Sequence, residues 1–375
     1  MDGNHTLKIM PIFGTRPEAV KLSPVINCLR QIQGIEVVVL STGQHDDLMA
    51  PILDWFGIAP DIDLRVMRPN QTPTGVAAEV MLRLEPILQQ ERPDWVLVQG
   101  DTTTVMATAV TAHYARVRVG HVEAGLRSYD RQNPFPEEAN RVIAGHLADL
   151  HFAPTVAARE NLLREGIDPA TVQVTGNTVV DALQSVRARL SEIQVDGSLS
   201  ALPKDKRLIL VTAHRRENFG RPIRDICAAL KGIARLNDVH IVYPVHPNPN
   251  IRQPVYELLA EEPSISLLPP LDYLSFIWLM ENSHLILTDS GGLQEEGACL
   301  GKPVFVLREV TERPEAVTAG VARIVGTEPE SIIRDVSGVL TDTACYAQMA
   351  RPVDVFGDGK AAERIVNALL NHGVS

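Results

Sequence analysis

Short runs of Val, Ile and Leu recur along the chain, each followed by a polar, often glycine-containing turn and then by a helical stripe. LKIMPIF, EVVVLST, WVLVQGD, VRVGHVE, LHFAP and VQVTG make a first series of strands. RLILVTAH, HIVYPVH, ISLLPP, HLILTDS and PVFVLRE make a second. Each run is apolar at consecutive positions, so both faces of the strand must be covered. The intervening segments can cover them: Val20 or Leu22, Val25, Ile26 and Leu29 line one face of a helix in PEAVKLSPVINCLRQI. Strand and helix in alternation specify the α/β class, with parallel sheets and helices on both faces. A chain of 375 residues exceeds one ordinary core, and the two series imply two halves. The join is expected in DALQSVRARLSEIQVDGSLSALPKDKR, where a helix runs out into linker composition. The expected domains are 1–175 and 176–358, with a last amphipathic helix in 359–375.

No apolar run approaches the roughly 20 residues a membrane span needs. MDGNHTLK lacks the basic start and apolar stretch of a signal peptide, so a cytoplasmic location is expected. The net charge of −11 argues against general nucleic-acid or anionic-membrane binding. The four cysteines, Cys28, Cys227, Cys299 and Cys345, form no CxxC pair, and buried free thiols are expected. HRRE offers no third ligand, so no metal site is expected.

In open parallel sheets ligands bind beyond the carboxyl ends of the strands. Those ends carry GTRPEA, GDTTT and HVEAG in the first half, and AHRRE, PVHPNP and DSGG in the second. Two such rims facing each other would make a deep cleft. GHVEAGLRSYDRQNPFPEEANR gathers Glu123, Glu137 and Glu138 between a strand and a helix. Acids in a first helical turn are ordinary helix-start chemistry. Glu123, ending a strand that should be buried, is costly unless paired or working. In DSGGLQEE, Ser290, Gly291 and Gly292 lead into a helix whose N-terminus could receive a phosphate, or Ser290 could simply cap it. Glu296 in that helix could take ribose hydroxyls. Neither GxGxxG nor GxxxxGK[ST] is present, so nicotinamide, flavin or ATP chemistry is not expected. Arg16 and Lys21 flank another helix start and suit an anion. His214 follows a buried strand at the same rim. Asp101 reads either as an N-cap or as a weak magnesium ligand. His121 is ambiguous, and His146 reads as core.

GTRPEAVKLSP, GDTTT, GHVEAGLR, PFPEEANR, TGNTVVDAL, VTAHRREN and TDSGGLQEE, in that order, resemble the non-hydrolysing UDP-N-acetylglucosamine 2-epimerases. The resemblance runs from about Ile9 to the final helix. It implies a GT-B-like fold: two Rossmann-like domains facing across a deep cleft, the last helix crossing back to the first. It implies interconversion of UDP-N-acetylglucosamine and UDP-N-acetylmannosamine without a cofactor, through elimination of UDP to a 2-acetamidoglucal. Asp101, Glu123 and Glu137 then look like the acid/base and sugar-contacting carboxylates. Lys21, Arg16 and His214 look like groups that bind or polarise the diphosphate. Ser290, Gly291 and Gly292 should meet phosphate, Glu296 the ribose, Leu271 and Phe276 the uracil, and Arg313 the ligand. The resemblance further implies a homodimer. Gln44, His45, Gln71, Arg216 and His246 resemble positions where some relatives bind a second substrate molecule as activator. Asp47 and Asn70 depart from the glutamine and arginine found there, so weak or absent activation is expected. A hydrolysing 2-epimerase and a UDP-sugar glycosyltransferase are the alternatives, and three placed carboxylates favour the epimerase.

Overall fold

Fourteen strands, all paired in parallel, form two sheets in a computed structural model that describes residues 6–43, 46–68, 71–132, 134–195, 197–236 and 238–373. The chain divides into two compact units, residues 1–184 with 357–375 and residues 185–356. It passes from one to the other within the helix Thr178–Ala188.

The first sheet contains β1 (Leu7–Phe13), β2 (Ile35–Val37), β3 (Leu40–Ser41), β4 (Ile62–Asp63), β5 (Trp95–Gln99), β6 (Arg118–Val122), β7 (Leu150–Ala153) and β8 (Val172–Val174). Its order is β4-β3-β1-β5-β6-β7-β8, with β2 on the same side of β1 as β3. EVVVLST reads as one strand but is broken, because the Asp61 carboxylate takes the Val39 N–H at 2.7 Å and draws that residue out of the ladder. Chain order reverses between β1 and β5, which makes their carboxyl ends the switch point of this sheet.

The second sheet contains β9 (Arg207–Thr212), β10 (Val239–Pro244), β11 (Ile265–Leu268), β12 (Leu285–Thr288), β13 (Val304–Val306) and β14 (Ala322–Ile324), in the order β11-β10-β9-β12-β13-β14. That is the doubly wound order 3-2-1-4-5-6, with its switch point between β9 and β12. The central strands of both sheets are buried, so their consecutive Val, Ile and Leu residues serve cores on two faces, while β2, β4, β8 and β14 are partly exposed. Cys227 lies fully buried in the second core; Cys28, Cys299 and Cys345 are free but only partly buried, where buried thiols were expected.

Two local devices position the first rim. Gly125 has φ +89°, and a Cβ there would lie 2.2 Å from the Ala158 carbonyl oxygen, so only glycine lets this turn pass the helix Val156–Arg164. The Asp181 carboxylate accepts from the N–H groups of Ala361 and Ala362, at 3.3 and 2.9 Å, and fastens the start of the last helix, Ala361–Asn371. That helix packs beside Arg16–Arg30, the helix that follows β1.

Candidate active site

At the first switch point the buried polar groups bond to one another across long stretches of sequence. Glu123, one residue beyond β6, is 8% exposed and adopts φ +64°, a strained conformation for a residue with a side chain. Lys21 Nζ donates to its two carboxylate oxygens at 2.8 and 2.6 Å. Gln99 Nε2 donates to Oε2, and Asn177 Nδ2 donates to Oε1 at 3.2 Å. Lys21, which the resemblance places at the diphosphate, is thus held on the Glu123 carboxylate.

Asp101 follows β5 and does not cap the next helix. Thr102 is the cap, its hydroxyl accepting from Val105 N–H at 3.3 Å. The Asp101 carboxylate receives the Arg141 guanidinium through Nε, at 3.1 Å, and Nη2. Asn140 Nδ2 donates to the Asp101 carbonyl at 3.0 Å. Arg141 also donates to Glu138, at 3.0 Å, and Glu138 accepts the N–H groups of Ser128 and Tyr129 at 3.0 and 2.9 Å. Glu138 therefore braces the turn. Glu137, the first residue of the helix Glu137–Leu147, keeps a buried Oε2 without a hydrogen-bond partner among the described residues. A buried acceptor in that state is costly and marks a place where a donor can bind.

Glu18, 1% exposed, accepts from the N–H groups of Gly14 and Thr15 at 2.8 and 2.6 Å and from the Thr102 hydroxyl at 2.6 Å. It ties the turn after β1 to the turn after β5, and burial pushes its carboxyl above the usual range. His121 is resolved as structural: its Nε2 bonds the Gly100 carbonyl at 2.7 Å, and burial lowers its pKa to about 4, leaving a neutral ring. His146 is exposed on its helix, its Nδ1 2.9 Å from the Val142 carbonyl, rather than in the core. Arg16 begins the helix Arg16–Arg30 half-buried, with no ion pair among the described residues.

The second switch point is built around Asp289, fully buried just beyond β12. Its Oδ2 accepts from the N–H groups of His214 and Arg215 at 2.7 and 2.8 Å and from Asn218 Nδ2 at 2.9 Å. Burial opposes its charge, but the His214 ring and these donors hold its pKa below the ordinary value. His214 Nδ1 lies 3.1 Å from Oδ1, and its ring stacks on His246 with centroids 5.6 Å apart. Burial and the neighbouring His214 lower the His246 pKa.

Ser290 occupies the N-cap position of the helix Gly291–Cys299, yet its side chain makes no capping bond. A Cβ at Gly292 would meet nothing within 4 Å, so this helix start faces open space. The Arg313 guanidinium lies against Gly291 and donates to buried Glu295, while its N–H donates to the Thr311 hydroxyl at 3.0 Å. Glu296 is buried in the same helix. Leu271 and Phe276 are half-buried beyond β11. Arg216 is exposed. Gln71 accepts from Arg68 N–H at 3.0 Å. Gln44, His45 and Asn70 lie outside the described residues, as does the side chain of Asp47.

Gln99, Asn177, Arg141, Glu18 and Asp289 escaped the sequence reading as site residues. The cost of burying a polar group, which singled out Glu123, applies equally to Gln99 ending WVLVQ and to Asp289 ending HLILTD.

A family model described as UDP-N-acetylglucosamine 2-epimerase matches residues 27–370. The chain is 48% identical to the UDP-N-acetylglucosamine 2-epimerase of Escherichia coli K12, over 98% of this chain and 100% of that one. The chain belongs to the UDP-N-acetylglucosamine 2-epimerase family. The UDP-GlcNAc 2-epimerase of Neisseria meningitidis, solved bound to UDP-GlcNAc, superposes on this family member with a TM-score of 0.93 at 42% identity, over 97% of this chain and 100% of that one. The enzyme of Methanocaldococcus jannaschii, solved in complex with UDP-GlcNAc and UDP, gives 0.82 at 35%, over 98% and 100%. The GT-B-like fold expected of a 2-epimerase is the one observed, with two parallel sheets and helices on both sides of each.

Proposed function

We propose that this chain interconverts UDP-N-acetylglucosamine and UDP-N-acetylmannosamine. In the forward step a carboxylate takes the proton from carbon 2. That C–H pair becomes the carbon 1–carbon 2 double bond, and the anomeric C–O pair leaves with UDP. In the return step a β-phosphate oxygen of UDP attacks carbon 1, and a proton is delivered to the opposite face of carbon 2. Atoms and charge balance, and no redox partner is needed. We assign proton transfer and sugar contact to Asp101, Glu123 and Glu137, with Lys21 supporting Glu123.

Binding UDP falls to the other rim. Ser290, Gly291 and Gly292 offer a hydroxyl and helix-start N–H groups to phosphate oxygens, His214 adds a donor, and Arg16 of the first unit is proposed to add a cation. Glu296 takes the ribose, Leu271 and Phe276 the uracil, and Arg313 holds the Gly291 turn. The observation that carries the reading is Glu123: a strained, nearly buried carboxylate beside a switch point, held by donors, in a chain of this family.

The reading extends to a homodimer in the cytoplasm, checked by light scattering of the purified protein and by fractionation. Among the described residues no helix is long and apolar enough to cross a membrane. The residues resembling an activator site, Gln44, His45, Gln71, Arg216 and His246, are proposed to give weak or no activation. A sigmoidal velocity curve rescued by trace UDP-N-acetylglucosamine would contradict that.

Incubation with UDP-N-acetylglucosamine in deuterated water, followed by NMR, tests the main reading. Two UDP-sugars deuterated at carbon 2 are expected. Free sugar with UDP would mean hydrolysis instead, and no change until an acceptor is added would mean glycosyl transfer.

A further inference from the structure

We propose that Asn177 and Gln99 are positioning residues for the proton-transferring carboxylate, their amide groups holding Glu123 as an ionised acceptor in one fixed orientation. The proposal rests on the reading that Glu123 exchanges a proton with carbon 2. Asn177 follows β8 and is 1% exposed; Gln99 ends β5 and is 2% exposed. Each reaches Glu123 from a different strand end, and Asn177 lies 54 positions away in sequence. The orientation of the Asn177 amide is settled by its other half. Its Oδ1 accepts from Val179 N–H at 3.1 Å, so Nδ2 is the atom turned to Glu123 Oε1.

The choice of amides has a chemical reason. Hydrogen bonds donated to a carboxylate favour its charged form. An amide does so without titrating, so it neither supplies nor takes the proton that Glu123 must exchange. Lys21, from the helix Arg16–Arg30, adds the compensating charge. His121, from β6, also faces Glu123 electrostatically and is neutral above a pKa of about 4, because burial disfavours its cation. Two fixed donors and one ammonium thus surround a carboxylate whose backbone is itself strained. A side chain at positive φ persists only where its surroundings hold it.

Asn177 could instead do no more than cap the helix Thr178–Ala188. Asn177→Asp separates the two roles. A carboxylate still accepts the Val179 N–H and suits a helix N-terminus, so the capping role survives. The donor facing Glu123 becomes a like charge, and two carboxyl groups about 3 Å apart share one proton. At pH 8 the expected result is a fall in kcat of about 100-fold, the size of a disabled acid–base step. KM should change by less than about threefold and Tm by only a few degrees, since neither UDP contacts nor the cap are touched. As the pH is lowered toward 6 the introduced carboxyl regains a proton to donate, and the gap to the wild type should narrow about tenfold.

Gln99→Glu should show the same pH-dependent deficit and carries the test if the first variant does not fold. Full activity of either folded variant at pH 8, or a loss that is constant from pH 6 to 8, would overturn the proposal. Wild-type protein in the same deuterium-exchange assay keeps the two levels apart. If it fails to exchange, the epimerase reading falls. If it exchanges and the variants match it, only the positioning roles fall.

Discussion

The two sheets share a doubly wound order, yet their switch points handle a buried carboxylate in opposite ways. At the first, Glu123 and Asp101 face side-chain cations, Lys21 and Arg141, while Glu18 and Glu138 take the backbone N–H groups of neighbouring turns. At the second, Asp289 turns inward to the amides of His214 and Arg215. That leaves the rim itself to donors: the His214 ring, the uncapped Ser290 hydroxyl and the amides of the Gly291 turn. Topology fixes where a ligand meets each sheet. The partner of the buried carboxylate fixes what that rim offers, carboxylates on one unit, proposed to serve a sugar, and donors on the other, proposed to serve a diphosphate.

The largest effect that could break this contrast is on turnover. Glu123→Gln keeps the shape but loses the carboxylate proposed to transfer the proton, and kcat should fall by about 10³-fold, within the range of lost acid–base catalysis. Steady-state kinetics in both directions check it; a loss under tenfold would remove Glu123 from proton transfer. Next comes stability. Lys21→Met leaves Glu123 charged and nearly buried without its cation, and should cost about 3 kcal/mol, as when one partner of a buried pair is removed. Urea denaturation checks it, and the double variant Lys21→Met with Glu123→Gln should recover most of the loss. If it does not, Lys21 acts apart from Glu123.

A smaller effect concerns pH. The folded pKa of His121 is depressed from 6.5 to about 4, so its neutral form stabilises the fold above 6.5 and that stability drains as pH falls toward 4. The loss is on the order of 3 kcal/mol. His284 in the second unit, also lowered to about 4 by burial, titrates in the same window, so the wild type alone cannot assign the slope. Thermal melts of His121→Asn should be flatter between pH 6.5 and 4; an unchanged slope would contradict the assignment. Asp289 works in a lower window. Its depressed pKa gives stability that is present above 3.8 and lost as pH falls below it. The smallest effect is Arg216→Ala, exposed and outside both clusters, which should change stability by less than about 0.5 kcal/mol.

The fold was legible because the strands are long apolar runs, and both sheets follow from them. The strands Ile62–Asp63 and Ala322–Ile324 were not, since two or three residues carry no period. The rims were legible as motifs, but the bonds within them were not. Lys21 and Glu123 lie 102 positions apart, and nothing local to either says that one will hold the other. Ser290 looked able to cap its helix and does not. Glu138 looked like a twin of Glu137, yet one braces a turn while the other keeps an unbonded oxygen. Such differences arise from packing between elements, which spacing along the chain does not encode.

The division of labour between the rims is tested most directly by the affinity of Glu123→Gln for UDP, measured by titration calorimetry beside the wild type. If the first rim serves the sugar and the second the nucleotide, Kd should agree within about twofold, a difference below 0.5 kcal/mol, while epimerisation is all but lost. A Kd weakened in step with turnover would contradict the account.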